Sequence, residues 1–326
     1  MNALARPLLL HLAVIAALAA LELVLPVYHQ GVFARILVLA TFAMGYNLLF
    51  GYVGLLSLGH AMFFAAGIYG AGMTMTHLGW GAPAAFGAGL AAGLALALVI
   101  GVLALRTTGV AFMIVTMMFA QVFYLATLYF GEWTRGDEGV TLPGSARMIQ
   151  IGDISVNLTD PVTRYYAALT LFAVVLLITL VIVRSRFGRV LVAIRENEER
   201  TKMLGYNTFA NRLTAVVLSG TISAAAGAAY ALLFGYVGAT FATIQYSILP
   251  LLWVLLGGAG TTLGPLVGTV LMFYLVDYSS GVLSQHFPNW NFSYLGVVGI
   301  ALIILVLFFP KGILGAVRDR FIRWLP

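Results

Sequence analysis

Ten stretches of this chain are apolar for long enough to enter or cross a lipid bilayer, and that recurrence constrains the fold more than any other feature. A hydrocarbon core about 30 Å thick takes about 20 apolar helical residues to cross. The stretches fall at 8–27, 33–50, 55–75, 82–105, 109–130, 165–183, 213–237, 244–256, 263–283 and 294–309. Inside a bilayer the backbone has no water to bond, so runs of this length fold as helices. The expectation is an all-α integral membrane protein of about ten transmembrane helices. Some are interrupted: the run 244–256 is short for a crossing, and the junction 51–54 is too short for an ordinary loop. Composition excludes the soluble alternatives. Of 326 residues 62% are hydrophobic and 9% charged, against about 25% charged in a soluble domain, which leaves too few charges to cover a water-facing surface. The first run follows Arg6 but exceeds the roughly 7–15 apolar residues of a signal peptide, so it reads as a retained span.

Charge placement sets the expected orientation. Seven basic residues lie in the segment 184–212 (Arg184, Arg186, Arg189, Arg195, Arg200, Lys202 and Arg212), partly offset by Glu196, Glu198 and Glu199. The tail 310–326 carries Lys311, Arg318, Arg320 and Arg323 against Asp319. The segment 131–163 instead holds five acids, Glu132, Asp137, Glu138, Asp153 and Asp160, with Arg135 and Arg147. Because Lys and Arg mark the inner face, the first two segments are expected in the cytoplasm and the third outside. Ten spans with both termini inside satisfy all three assignments. The net charge of +6 then orients the chain and does not imply nucleic acid as a partner. The lipid bilayer is the partner that composition implies. The whole chain, 1–326, reads as one transmembrane domain.

Two glycine-rich stretches echo each other. Gly51, Gly54 and Gly59 in Gly-Tyr-Val-Gly-Leu-Leu-Ser-Leu-Gly are matched by Gly257, Gly260 and Gly264 in Gly-Gly-Ala-Gly-Thr-Thr-Leu-Gly. Each follows one apolar run and precedes another, the pattern of transporters built from two related halves with interrupted helices at matching positions. Polar residues beside the breaks are the candidates for a substrate pathway: Ser57, His60 and Tyr69 at the first, Thr261 and Thr262 at the second. Freed backbone groups at such a break would hold a zwitterion, and the following helix N-terminus would favour a carboxylate. The competing account is plain helix packing, with Ser and Thr bonding across interfaces. Glu22 and Asp277 lie within spans but toward their expected outer ends, where helix pairing or a boundary position accounts for them. Arg106 falls at an inner boundary. Arg35 falls near the outer face, where it would line a vestibule or snorkel.

Catalysis has little footing. The chain has no cysteine, no G-x-x-x-x-G-K-[ST] phosphate loop and no H-E-x-x-H pair, so no metal, nucleotide or other cofactor is expected on it. Ser57 and His60, three apart, resemble a nucleophile and base only superficially, since no acid lies near in sequence to orient the imidazole. An ion-coupled secondary transporter using Glu22 and Asp277 is the other rival.

The basic loop 184–212 is the most informative soluble segment. Val190, Leu191 and Ile194 fall within one helical turn, Met203 and Leu204 close the segment, and Gly205 suits a helix-terminating position. This predicts a short amphipathic helix docked under the membrane. Its pattern, Ser185-Arg-Phe-Gly-Arg-x5-Arg195-Glu-Asn-Glu-x-Arg200-x4-Gly205, resembles the ATPase-docking loop of branched-chain amino acid ABC importer permeases. Glu199 stands six residues before Gly205, as in the wider importer docking motif, whose two alanines are here Arg200 and Thr201. Further resemblance comes from Gly54-Leu-Leu-Ser-Leu-Gly-His60-Ala-Met-Phe-Phe64 with Gly67-Ile-Tyr69, and from the segment 105–116. Gly136-Asp-Glu-Gly139 and Gly257-Gly-Ala-Gly-Thr-Thr-Leu-Gly-Pro265 complete it. The Ser-Leu-Gly-His version resembles the LivM-like member of the permease pair. The resemblance implies a multi-pass protein of the bacterial inner membrane whose coupling residues are Arg195, Glu196, Glu199, Arg200 and Gly205. It also implies three kinds of partner that do the work missing here: a second related permease, two cytoplasmic ATPases carrying ATP and Mg, and an external substrate-binding protein. Urea and short amides are the alternative cargo for such a permease.

Overall fold

The computed structural model describes residues 5–151, 154–286 and 311–320, with isolated positions between 296 and 307. The expected span 294–309, Asp153 and the side chain of Asp277 lie outside the described residues. Helix α1 (Ala5–Leu21) leads into α2 (Val27–Asn47), which continues through a wide π-helical turn, Leu48–Val53. After a short irregular stretch come α3 (His60–Leu78), α4 (Ala82–Ala104), α5 (Val110–Tyr129) and the single turn α6 (Gly131–Thr134). Helix α7 (Pro161–Arg184) runs through Ser185 into α8 (Arg186–Glu196), α9 (Glu198–Met203) and α10 (Thr208–Phe234). Helices α11 (Ile244–Gly257), α12 (Gly264–His286) and α13 (Gly312–Arg320) complete the described chain. Five of these are long and apolar enough to cross a membrane: α2 with its π-turn, α4, α5, α7 and α10. Helices α1, α11 and the first part of α12 are shorter apolar helices.

Burial separates the helices into two kinds. Helices α2 and α10 are buried along nearly their whole length, whereas α4 and α5 turn most of their apolar side chains outward. Outward-facing Leu98, Val99, Met118, Val122 and Leu125 suit lipid or another apolar chain. The inner helices approach closely because glycine removes the side chain at each crossing. A Cβ at Gly67 of α3 would fall on the Ala224 carbonyl of α10, and one at Gly227 of α10 on the Phe64 carbonyl of α3. Helix α4 enters the same layer through Gly89, whose Cβ would lie 2.6 Å from the Gly67 carbonyl oxygen, and through Gly93 against Ala224. Such small-residue interlocks are how helices pack where lipid gives no hydrophobic drive between them. Beside them an aromatic cluster joins α2, α3, α10 and α11. Phe42 and Phe64 stack at 4.7 Å between ring centres, with Tyr246 at 5.4 Å from Phe64 and Phe241 at 5.2 Å from Tyr246.

Several expectations about elements change. The third span begins at His60, because residues 54–59 form an irregular turn, with Gly54 left-handed, and only then does the helix start. Helix α10 begins at Thr208, five residues before the apolar run, because Asn207 caps it by accepting from the Ala210 N–H at 3.0 Å. The class is helical as expected, with short strands added: the acidic segment carries β1 (Val140–Thr141), β2 (Met148–Ile151) and β3 (Ile154–Asn157), and β4 (Tyr236–Val237) follows α10. Strands β2 and β3 form a hairpin, and β1 pairs antiparallel with β4, Val140 opposite Val237. Arg147 adds hydrogen bonds from Nη1 to the Leu233 and Leu232 carbonyls at 3.3 and 3.5 Å. The acidic segment is thereby fastened to the C-terminal end of α10. Glu22 is a pairing residue: Oε1 accepts from Gln30 Nε2 at 3.1 Å and Oε2 from the Tyr166 hydroxyl at 3.1 Å, which joins α1, α2 and α7.

Because the atoms opposing Gly227 are backbone, the neighbour has no rotamer with which to yield. Gly227→Ala is expected to cost about 1–3 kcal/mol through overpacking, read as a lower melting temperature of the detergent-solubilised protein. Gly87→Ala in α4, where a Cβ meets nothing within 4 Å, is expected to be neutral or stabilising.

Candidate functional site

The two glycine breaks, 206 positions apart in sequence, lie against each other at the end of the bundle that carries the basic loop. At the first, the π-turn closes on Gly54 with φ +79°. At the second, α11 stops at Gly257 and the chain turns through Gly258 (φ +123°) and Gly260 (φ +71°) before α12 starts at Gly264. Positive φ is costly for any residue with a Cβ, which explains glycine at these turns. Gly51 is required by proximity instead: its Cβ would sit 2.5 Å from the Gly260 nitrogen.

Asn47 holds the breaks together. Its Nδ2 donates to the Thr261 carbonyl at 2.8 Å, and its Oδ1 accepts from the Gly260 N–H at 2.9 Å. A carbonyl can only accept and an N–H only donate, so both partners fix the amide orientation. The side chain is 1% exposed, and each partner is a backbone group that a helix interruption would otherwise leave unbonded.

The basic loop reaches this junction directly. Arg195, at the end of α8, donates from Nη1 to the Gly51 carbonyl. Its Cγ lies 2.9 Å from the place a Cβ on Gly54 would occupy, and its Nη1 3.3 Å from that of Gly260. One side chain of the loop therefore touches both breaks. On the other side Arg318 of α13 donates from Nη1 to the Gly260 carbonyl at 3.1 Å. A cavity of about 600 Å³ between them is lined by Arg195, Lys311, Arg318, Phe50 and Leu255. Helix α1 contributes His11, whose Nδ1 lies 2.6 Å from the Pro7 carbonyl and whose Nε2 lies 2.7 Å from Thr262 Oγ1. The carbonyl must accept, so Nδ1 carries the proton and Nε2 accepts from the Thr262 hydroxyl.

Of the pathway candidates, Thr261 and Thr262 are buried within the second break, with Thr261 Oγ1 donating to the Gly258 carbonyl at 2.7 Å. Ser57 and His60 lie at the start of α3 but do not bond each other. Ser57 Oγ accepts from the Gly59 N–H at 3.2 Å, a local turn. His60 Nε2 lies 2.7 Å from Ser219 Oγ, and Ser219 donates onward to the Gly45 carbonyl. The serine proton is thus committed to Gly45, so His60 Nε2–H donates and Nδ1 is a buried acceptor without a partner. This arrangement joins α2, α3 and α10 and forms no nucleophile–base pair with Ser57. Tyr69 stands apart, farther along α3, with its ring 6.4 Å from Phe123 of α5.

The expected single coupling helix is two. Ser185 caps α8 by accepting from the Gly188 N–H at 3.2 Å, and Asn197 (φ −159°, ψ 103°) ends it. The same Asn197 caps α9, accepting from the Arg200 N–H at 2.9 Å. Arg195 and Glu196 thus close α8, Glu199 and Arg200 open α9, and Gly205 (φ +86°) turns the chain toward α10. Val190, Leu191 and Ile194 are buried as the spacing predicts, but Met203 and Leu204 are 85% and 75% exposed, and Tyr206 is exposed beside them. They form an apolar tip facing away from the bundle. The loop is held by Glu198, which accepts from Arg212 at 2.9 Å and from Thr208 at 3.0 Å, with Lys202 at 3.5 Å. Glu199 is exposed and, among the described residues, pairs only with Lys202, at 2.9 Å. The sequence does not single out Asn47, His11 or Ser219, and it marks Glu198 and Arg318 only as charges of the loop and the tail. A polar residue inside or at the end of an apolar run was the available signal for the first three.

Two predictions follow from these bonds. Asn47→Ala leaves the Gly260 N–H and the Thr261 C=O unbonded, and an unsatisfied buried polar group costs about 1–3 kcal/mol, so a clearly lower melting temperature is expected. The second concerns pH. Partial burial pushes the Glu198 carboxyl up, but Arg212, Thr208 and Lys202 outweigh it and hold the group below the ordinary glutamate value of 4.5. Since the folded value is the lower one, its contribution is complete above pH 4.5 and is lost as pH falls through the depressed value. Amide exchange in α9 is expected to accelerate over that interval, and Glu198→Gln to abolish the pH dependence.

The comparisons with known proteins agree with this architecture. The family model for the branched-chain amino acid transport system permease component matches residues 29–307. The high-affinity branched-chain amino acid transport system permease protein LivM of Salmonella typhimurium is 28% identical over 299 residues, covering 85% of this chain and 68% of that one. LivH of Escherichia coli K12 is 25% identical over 287 residues, covering 85% and 91%. The autoinducer 2 import system permease protein LsrC of Photorhabdus laumondii is 26% identical over 144 residues, covering 42% and 41%. No solved structure matches. With the family model covering most of its length, and with several apolar helices long enough to cross a membrane, the chain belongs to the branched-chain amino acid transport permease family.

Proposed function

We propose that this chain is one permease subunit of an ATP-driven importer that carries branched-chain or similar aliphatic amino acids across a bacterial inner membrane by alternating access. Both termini and the segment 184–212 lie in the cytoplasm, in keeping with the basic residues gathered there. The segment 131–163 faces outside and receives a substrate-binding protein. A second, related permease completes the pathway, and two cytoplasmic ATPases hold the ATP and Mg.

The observation that carries this reading is the route from the apolar tip to the breaks. Met203, Leu204 and Tyr206 expose a large apolar surface on a loop that otherwise presents charge, and such a patch marks a contact with another protein. The tip belongs to α9, which Asn197 joins to α8, and α8 ends in Arg195 on both glycine breaks. A groove on an ATPase that grips the tip and moves on closure would shift Arg195. That shift redistributes the bonds of Gly51, Gly260 and Asn47 and rocks α2 and α12 about their inner ends. Glu196, Glu199 and Arg200, exposed around the tip, supply the polar rim of the same contact.

The test is co-purification. Met203→Glu together with Leu204→Glu is expected to leave the permease in the membrane and to remove the ATPases from the purified complex, with loss of uptake. Recovery of the ATPases at the wild-type level would overturn the docking assignment. Cargo is read from uptake of labelled leucine against labelled urea; since LivM and LivH are named for branched-chain amino acid transport, saturable leucine uptake is the result expected here.

A further inference from the structure

At the opposite end of the bundle, a pocket of about 330 Å³ opens between α2, α7, α10 and α12, within the range of small-molecule sites of about 300–1,000 Å³. Its walls are apolar, formed by Val32, Phe234 and Phe273 with the ring of Tyr28 at the rim. Into it project two guanidinium groups. Arg35 of α2 lies 5.2 Å and Arg164 of α7 5.6 Å from the centre of the same Phe234 ring.

These arginines are placed against the usual preference. Lys and Arg are sparse on outer faces, and here two like charges share one ring and repel each other. Arg164 donates to the Thr159 carbonyl at 2.9 Å and has Asp160 nearby. Arg35 is exposed and, among the described residues, makes no hydrogen bond and no ion pair beyond its contact with the ring. The negative end of α10 does not account for the pair either, because Arg147 already takes the Leu232 and Leu233 carbonyls. A ring face gives a cation weaker satisfaction than a carboxylate, which an arginine fork engages bidentately.

We infer that Arg35 and Arg164 form an outer receptor for the carboxylate of a small aliphatic acid, with Val32, Phe234 and Phe273 taking its alkyl group. The inference rests on the permease reading for the direction of travel. It also identifies what a ligand there would do. Helix α2 begins near this pocket and ends at Asn47 on the glycine junction, while α7 passes through Ser185 alone into α8 and Arg195. The two helices bridged by the carboxylate at the outer end are therefore the two that meet through Arg195 and Gly51 at the inner end. A carboxylate joining Arg35 to Arg164 clamps α2 to α7 and passes the presence of cargo to the junction the loop controls.

The experiment uses the complex purified with its partner subunits, without the binding protein, and reads the ligand-induced rise in melting temperature. Four probes separate the chemistries: leucine, 4-methylpentanoate (its carboxylate and alkyl chain without the ammonium), 3-methylbutylamine (the ammonium and alkyl chain without the carboxylate) and inorganic phosphate. Leucine and 4-methylpentanoate are expected to stabilise the complex, and the amine and phosphate to leave it unchanged. Arg35→Gln and Arg164→Gln are each expected to weaken the response to 4-methylpentanoate on the order of tenfold, which corresponds to about 1.4 kcal/mol; Arg35→Lys, which keeps the charge, is expected to recover part of it. Equal stabilisation by the amine overturns the carboxylate assignment, and equal stabilisation by phosphate reassigns the pair to lipid headgroups. A full response in Arg35→Gln overturns the site. These outcomes with the ATPases still bound count against the pocket alone, whereas a complex that never contains an ATPase counts against the permease reading itself.

Discussion

The Asn47 amide is the interaction on which the interrupted helices depend. A helix broken inside an apolar protein frees N–H and C=O groups that no water can take up, and each must find a partner. Asn47 supplies a donor and an acceptor to the second break from the foot of the helix that leads into the first. Arg195 and Arg318 take the Gly51 and Gly260 carbonyls from opposite sides. Because each break is satisfied by groups from the other or from the basic segments around it, neither is stable by itself. Two local defects become one junction, and α1, α2, α8, α12 and α13 all end on it or touch it.

How much of this was legible in the sequence depended on whether the signal was local. The five long spans were readable because twenty apolar residues in a row need only be counted. The glycine breaks were readable too, since Gly54 and Gly260 stand at corresponding places in echoing segments. Their contact was not, because nothing in a linear reading brings position 51 beside position 260. Asn47 went unremarked for the same reason: at the end of an apolar run it looks like a boundary residue. Asn197 carried a local signal, an Asn ahead of two glutamates that suits a helix cap, yet the apolar spacing of Val190, Leu191 and Ile194 suggested that one helix continued. Strands of two residues, such as β1 and β4, have no periodicity to read. Glu198 and Glu199 are adjacent and chemically identical, and only the fold shows that the former holds Arg212 while the latter faces water.

The placement of charge shows the same division. The basic loop was conspicuous as a cluster, and clustering is a property of sequence. Arg35 stood out as a lone charge near the outer face, but its partner Arg164 did not, because it lies on a different helix and their shared ring, Phe234, belongs to a third. A pocket whose two charges come from different helices and whose shared ring comes from a third leaves no motif.

The packing also decides where the molecule can move. Helices α3, α4 and α10 interlock through glycines whose neighbours are backbone carbonyls, so sliding one past another would drive peptide groups into each other. His60 and Ser219 tie α3 and α10 to α2 through bonds whose donors and acceptors are all assigned. The glycine junction is different in kind. It is closed by side-chain hydrogen bonds, and such bonds contribute about 0.5–1.5 kcal/mol each, or about 1.5–3 kcal/mol when one partner is charged. Opening the Asn47 and Arg195 contacts therefore costs on the order of a few kcal/mol, within the range of typical protein coupling energies of about 1–3 kcal/mol. Steric interlock defines the rigid unit, and hydrogen bonds of exchangeable strength define the hinge. Arg195, the last arginine of α8, is itself one of those bonds, so the basic loop ends on the junction.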